Sequence, residues 1–211
     1  MSKHPASTHT ALAAAVAFTL VSLLVQLKIT QPYDDAGLRA VAAMRTPGLT
    51  SFMLVFTTIG GGLILFPFAL AFGAWLRSWR NGRIAAFYIV TCLTGWGVHA
   101  LFKLLFGRAR PTVVPRLHLS GWVSFPSGHA MMSTVVFGLA VVLATERKRD
   151  SLSSRIMITA GGALIAGIAA SRVYLGVHYP SDVIAGMLGG WAWIGWALAI
   201  LRPRMAPAGR V

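Results

Sequence analysis

Three short segments hold most of the residues in this chain that could do chemistry. Lys103 stands seven residues before Arg110-Pro111, Pro126-Ser127-Gly128-His129 opens an apolar stretch, and Ser171-Arg172 is followed by His178 and Asp182. On a helix continuing to Pro111, Lys103 and Arg110 share a face. Pro111 is then the expected end of that helix, because the residue before a proline disfavours the α region. Ser127 is placed to start a helix and cap it with its hydroxyl. The free N–H groups of such a first turn attract an anion, and His129 can donate a proton to whatever they hold. His178 and Asp182 are four apart, with Pro180 suited to the first turn of another helix. Asp182 can accept from one ring nitrogen of His178 and fix its tautomer, leaving the other nitrogen free to attack. Arg172, six residues before His178, can reach the same place. Each segment alone also reads as an ordinary basic anchor, helix cap or structural His–Asp pair. Together, three cations, a helix N-terminus, a His backed by a carboxylate and a second His suit phosphoryl transfer, which is mostly positioning and charge stabilisation.

Composition decides where such a site sits. The chain has 211 residues, 56% hydrophobic and 11% charged, with mean hydropathy +0.69. A soluble domain carries about 25% charged residues. One cysteine, Cys92, excludes a disulfide framework or thiolate cage. Five acidic residues in all argue against a carboxylate-built two-metal site, so Lys103, Arg110 and Arg172 take the place of metal charge, and no metal or cofactor is expected. The net charge of +14 calls for an anionic partner. Anionic lipid, phosphate and nucleic acid all fit that charge; the hydropathy favours membrane lipids over a nucleic acid, and no obligatory protein partner is evident.

Six stretches approach the roughly 20 apolar residues that cross a bilayer: 11–27, 52–76, 84–102, 127–145, 156–171 and 183–201. None contains an internal Lys, Arg, Asp or Glu. The fold class expected is all-α: one membrane-embedded domain over 1–211, a bundle of six transmembrane helices with the site at one membrane face. Tails 1–10 and 203–211 read as disordered. The first stretch does not read as a cleavable signal peptide.

The combined motifs resemble the type 2 phosphatidic acid phosphatase family, within the acid-phosphatase and vanadium-haloperoxidase superfamily. Its signature is a Lys, six residues, Arg-Pro; then Pro-Ser-Gly-His; then Ser-Arg, five residues, His, three residues, Asp. Lys103, Arg110-Pro111, Pro126 to His129, Ser171-Arg172, His178 and Asp182 match every element. The resemblance implies a membrane phosphatase acting on lipid phosphate monoesters or pyrophosphates, of the undecaprenyl pyrophosphate, phosphatidylglycerophosphate or phosphatidic acid type. It implies a phosphohistidine on His178, with Asp182 as its partner and His129 as general acid. Lys103, Arg110, Arg172, Ser127 and Gly128 would bind phosphate. A lipid-to-lipid phosphotransferase and a non-catalytic lipid carrier on the same scaffold remain open.

The other candidates read as structural. His99, inside the third stretch, reads as a hydrogen-bonded core His, and His118 as a solvated loop His. Trp75, Trp79, Trp122, Trp191, Trp193 and Trp196 read as interfacial or lipid-facing. Residues 34–44 read as a short interfacial helix capped by Asp34 and Asp35. With six spans, eleven Lys and Arg fall on the side of the termini and eight opposite. Positive loops stay in the cytoplasm, so the expected placement is a bacterial inner membrane, termini cytoplasmic, site outside. A reporter fused after Val211 should read cytoplasmic, and a Cys at Val114 should be labelled by an impermeant thiol reagent from outside. The reverse pattern overturns this topology.

Overall fold

The computed structural model describes residues 5–147 and 150–201. Among them the chain is helical apart from turns and the irregular segment 107–127, which carries one isolated antiparallel bridge, Ala109 to Val123. The helices are α1 (Pro5–Gln26), α2 (Gln31–Ala43), α3 (Pro47–Ile59), α4 (Gly62–Trp79), α5 (Gly82–Phe106), α6 (Gly128–Ser133), α7 (Leu139–Thr145), α8 (Leu152–Tyr174) and α9 (Pro180–Trp196). A π-helical turn, Thr134–Gly138, joins α6 to α7 in one rod, and another, Ala197–Leu201, extends α9. Helix starts follow local chemistry. Asn81 accepts from Ile84 N at 2.9 Å, Ser151 from Ser154 N at 3.2 Å and Thr46 from Leu49 N at 3.2 Å, each satisfying an otherwise orphaned donor.

Six of these units are long and apolar enough to cross a membrane: His9–Gln26, Gly62–Trp79, Gly82–Phe106, Gly128–Thr145, Leu152–Tyr174 and Pro180–Ile200. One expectation is corrected. The stretch 52–76 is not one span; the chain turns at Gly60-Gly61, leaving α3 as a separate 13-residue helix. At 1.5 Å per residue α3 reaches about 20 Å, too short for a hydrocarbon core of about 30 Å. The crossing number is unchanged because α4 alone supplies the span. The amino-terminal tail also differs: α1 begins at Pro5, inside the stretch read as disordered, while 203–211 lies outside the described residues.

The α6–α7 rod is the axis of the bundle, with 72% of its span buried against 17–39% for the others. Met132, Val135, Val136, Leu139 and Leu143 join Leu65, Phe87, Tyr88, Ile165, Ile168 and Ile194 from the surrounding helices. The Tyr88 hydroxyl donates to the Val136 carbonyl at 3.1 Å, beside the irregular π turn. Helix α9 approaches the rod through small residues. A Cβ on Gly186 would stand 2.7 Å from Ser127 O, and one on Gly190 would stand 2.8 Å from Met131 O. On another side a Cβ on Gly195 would overlap Ala11 of α1. Close backbone approach through small residues is how membrane helices associate when lipid is as apolar as leucine. Trp193 departs from the lipid-facing expectation: its indole N–H donates to Thr91 O at 3.0 Å, joining α9 to α5.

Gly186→Ala should therefore push α9 off the start of the rod and cost about 1–3 kcal/mol, as overpacking does. Gly97→Ala, which meets nothing within 4 Å, should be neutral or slightly stabilising. Thermal unfolding in detergent, followed by tryptophan fluorescence, compares them, and equal melting of the two variants contradicts this packing. Val114 is packed, at 8% exposure, so Leu119, at 92%, is the position where the labelling cysteine belongs.

Candidate active site

The signature residues gather at one end of the bundle, where α5 and α8 finish and α6 and α9 begin. Helix α5 stops at Phe106 because Gly107 takes a left-handed φ of 57°. This corrects two expectations: Gly107, not Pro111, ends the helix, and Lys103 and Arg110 do not share a helical face. Instead the chain after Gly107 folds back on itself. Ser124 N donates to Arg108 O at 2.8 Å, beside the Ala109–Val123 bridge. Lys103, on the last turn of α5, donates its Nζ to Val123 O at 2.8 Å, and Arg110 donates its Nε to Gly121 O. The loop thus carries Arg110 to the third motif, where Nη1 donates to Val177 O at 2.5 Å and lies 3.2 Å from His178 Nε2.

Pro180 occupies the first turn of α9 and Asp182 the third position, accepting from Tyr179 N at 2.9 Å. The same oxygen, Oδ2, accepts from Ser124 Oγ and lies 3.4 Å from His178 Nδ1. Its Oδ1 accepts from Arg108 Nη1 at 2.7 Å. His178 and Asp182 are both buried. Burial pushes the His178 imidazole down to about 4; Asp182 opposes this, and Arg110 and Arg172 add to it. Burial also lowers Arg110, against the pull of Asp182. A guanidinium has only donors to offer, so the nitrogen facing Arg110 is the lone-pair nitrogen of a neutral imidazole.

Arg172 is buried at the end of α8, its Nη1 donating to Thr57 Oγ1 of α3. Its carbonyl accepts from Val177 N and His178 N at 3.2 and 3.3 Å, so the cation and the histidine share one turn. That turn passes Gly176 at φ 72°. Ser127 begins α6, but its hydroxyl makes no cap bond, contrary to expectation; its N–H donates to Asp182 O at 3.0 Å. Ser127 Oγ and Arg172 Nε are buried side-chain atoms with no hydrogen-bond partner. A Cβ on Gly128 would lie 2.8 Å from the His99 ring. His129 lines a cleft of about 180 Å³ with Gly60, Gly62, Leu65, Trp96, His99, Gly128 and Met132.

The structure thus joins all eight predicted residues at one bundle end. Several neighbours were missed. Ser124 and Thr57 sit in segments with no distinguishing pattern. Arg108 lies between Lys103 and Arg110 but is not part of the signature. Asp34 read as the cap of its own helix, yet it is buried and accepts from Ser181 N at 2.9 Å and Ser181 Oγ at 2.6 Å, fastening α2 to α9. His99, read as a hydrogen-bonded core residue, does bond to the Pro126 backbone, while its Nε2 is unpartnered. His118 is a loop residue, as read, its Nδ1 donating to Leu119 O at 2.6 Å. No group of three or more His, Cys, Asp or Glu placed to hold a metal occurs among the described residues.

Comparison with known proteins follows the same lines. The chain is 28% identical over 170 residues to phosphatidylglycerophosphatase B of Bacillus subtilis, covering 80% of this chain and 83% of that protein. It is 42% identical over 69 residues to an undecaprenyl-diphosphatase of Sulfolobus acidocaldarius, covering 32% of this chain and 29% of that one. The crystal structure of a transmembrane PAP2-type phosphatidylglycerolphosphate phosphatase from Bacillus subtilis superposes with a TM-score of 0.85, covering 95% of this chain and all of that one. At 22% identity that match speaks for the fold. The sequence profile of the PAP2 superfamily matches residues 82–206, which hold all three motifs, and the chain belongs to that superfamily.

Proposed function

We propose that this protein is an integral membrane phosphatase that hydrolyses lipid phosphate monoesters or lipid pyrophosphates through a phosphohistidine. The observation that carries the reading is the orientation of His178. One nitrogen faces Asp182, and the other presents its lone pair 3.2 Å from Arg110, where an anion would be held. The orphaned Ser127 Oγ and Arg172 Nε, with the first amides of α6, are donors suited to phosphoryl oxygens. Relatives acting on phosphatidylglycerophosphate and on undecaprenyl diphosphate support both a monoester and a pyrophosphate substrate. The apolar walls beside His129 (Leu65, Trp96 and Met132) suit a lipid leaving group.

In the first step His178 Nε2 forms a bond to phosphorus as the bond to the leaving oxygen breaks. His129, protonated, gives its proton to that oxygen. In the second step His129, now a base, takes a proton from water as the water oxygen attacks phosphorus and the N–P bond breaks. Lys103, Arg110 and Arg172 hold the equatorial oxygens throughout. The site faces away from the cytoplasm in this reading, and water is the acceptor rather than a second lipid.

His178→Ala should reduce activity to background and abolish acid-labile label trapped on the protein from radiolabelled substrate. His129→Ala should lose about 10²–10⁴-fold, less with a nitrophenyl leaving group, and Asp182→Asn should fall between. Label trapped on His178→Ala as readily as on wild type removes His178 as nucleophile. The profile of kcat/KM against pH should be bell-shaped, since His178 must be neutral and His129 protonated, and because burial lowers His178 to about 4 its acid limb should fall near 4 and not at 6.5. An acid limb centred at 6.5 contradicts this. Activity should survive EDTA and be inhibited by vanadate, whose five-coordinate form resembles the in-line transition state; an EDTA loss restored by Mg2+ defeats the metal-free mechanism.

A further inference from the structure

Asp182 does not belong to His178 alone. The 3.4 Å contact with His178 Nδ1 is longer than its 2.9 Å bond from Tyr179 N and its 2.7 Å bond from Arg108 Nη1. Arg108 also donates to Ser181 Oγ at 2.8 Å, and its guanidinium carbon stands 3.9 Å from the centre of the Tyr179 ring. Its other arm, Nη2, donates to Asp34 Oδ2 at 2.8 Å and Gln31 Oε1 at 2.9 Å. The guanidinium is therefore shared between two buried carboxylates, in the order Asp34, Arg108, Asp182, His178. Asp34 comes from α2, far outside the signature motifs.

The remaining charges around His178 have assigned places. Arg110 and Arg172 oppose a second proton on the ring, as does His129 when charged. Lys103 lies within electrostatic reach of Asp182. Asp182 is the carboxylate in contact with the ring and favours the imidazolium. Its hold depends on how much of its charge Arg108 neutralises, and that depends on how much of Arg108 is taken by Asp34.

We propose that Arg108 and Asp34 are positioning residues of opposite sign: Arg108 restrains Asp182 so that His178 stays unprotonated, and Asp34 moderates that restraint. This rests on the reading of His178 as a neutral nucleophile. The signs follow from charge alone. Neutralising Arg108 frees Asp182 to hold an imidazolium and removes a cation, so the acid limb of kcat/KM moves to higher pH. Neutralising Asp34 leaves Arg108 wholly on Asp182, so the limb moves to lower pH.

The test uses full-length protein in detergent with dioctanoyl phosphatidic acid as probe. Arg108→Gln should raise the acid limb by about one pH unit, the scale of one nearby charge, and Asp34→Asn should lower it. Asp34→Asn added to Arg108→Gln should shift the limb less than Asp34→Asn alone, because its route through Arg108 is gone and only its direct charge remains. Arg108→Lys, which keeps the charge, should return the limb to the wild-type position even where kcat is reduced; it carries the test with Asp34→Asn if Arg108→Gln fails to fold. Limbs that stay put while kcat falls, or that shift in the same direction for Arg108→Gln and Asp34→Asn, overturn the proposal. Rapid-quench trapping of label on wild-type His178 separates the two readings. Label present with unmoved limbs refutes this inference alone, and label absent from His178 refutes the nucleophile assignment and this inference together.

Discussion

Around the carboxylate of Asp182, four donors from three parts of the chain converge: the guanidinium of Arg108, the hydroxyl of Ser124, and the ring of His178 with the amide of Tyr179. Its own carbonyl accepts from Ser127 N at the start of α6. A charge withdrawn from water must have its lone pairs satisfied or be neutralised. In a chain with five acidic residues this buried group acts as an organising centre. Truncating one partner of such a pair leaves an uncompensated charge at a cost of about 3–5 kcal/mol. The ends of α5, α6, α8 and α9 are therefore held in register by the same group that orients the proposed nucleophile.

Packing beneath that centre has a different origin. The lipid around the bundle is as apolar as its side chains, so burial of leucine contributes little to helix association and close contact contributes much. Gly186 and Gly190 bring α9 against the backbone of α6, and Gly195 brings α1 against α9. Gly128 lets the start of α6 pass the His99 ring. These contacts fix how far Ser127 stands from Asp182, which side-chain chemistry alone would leave loose.

Not every polar group at this end of the bundle is satisfied. Ser127 Oγ, Arg172 Nε and His99 Nε2 are half of the six buried, unpartnered side-chain atoms among the described residues. A buried group without a partner costs about 1–3 kcal/mol. Such groups are rare in folded proteins and each calls for a reason. Their concentration around a helix N-terminus, with three cations nearby, supports the proposed oxyanion site in a member of a superfamily whose relatives include lipid phosphatases.

The amino-acid sequence by itself determined the helical class, the six apolar crossings and the eight residues that meet at one bundle end. Hydropathy over 18–25 residues and motif spacing are local properties, so they survive in one dimension. The helix starts at Pro180 and after Ser127 were legible for the same reason, since the first turn of a helix is specified by its neighbours in sequence, although the Ser127 hydroxyl does not cap. What the sequence left hidden was set by contacts across long separations. Asp34 looked like a helix cap and is instead bound to Ser181, 147 positions away. Arg108, outside the signature, is the bridge between Asp34 and Asp182. Gly107 rather than Pro111 ends α5, because the chain must fold back there for Arg110 to reach Val177. The apolar run 52–76 hid a turn at Gly60-Gly61, where composition stays hydrophobic but the backbone must clear His129 and Ile168. Tertiary structure decided these points because pairing a buried charge and closing a helix against its neighbour are three-dimensional requirements, and no spacing along the chain encodes the partner.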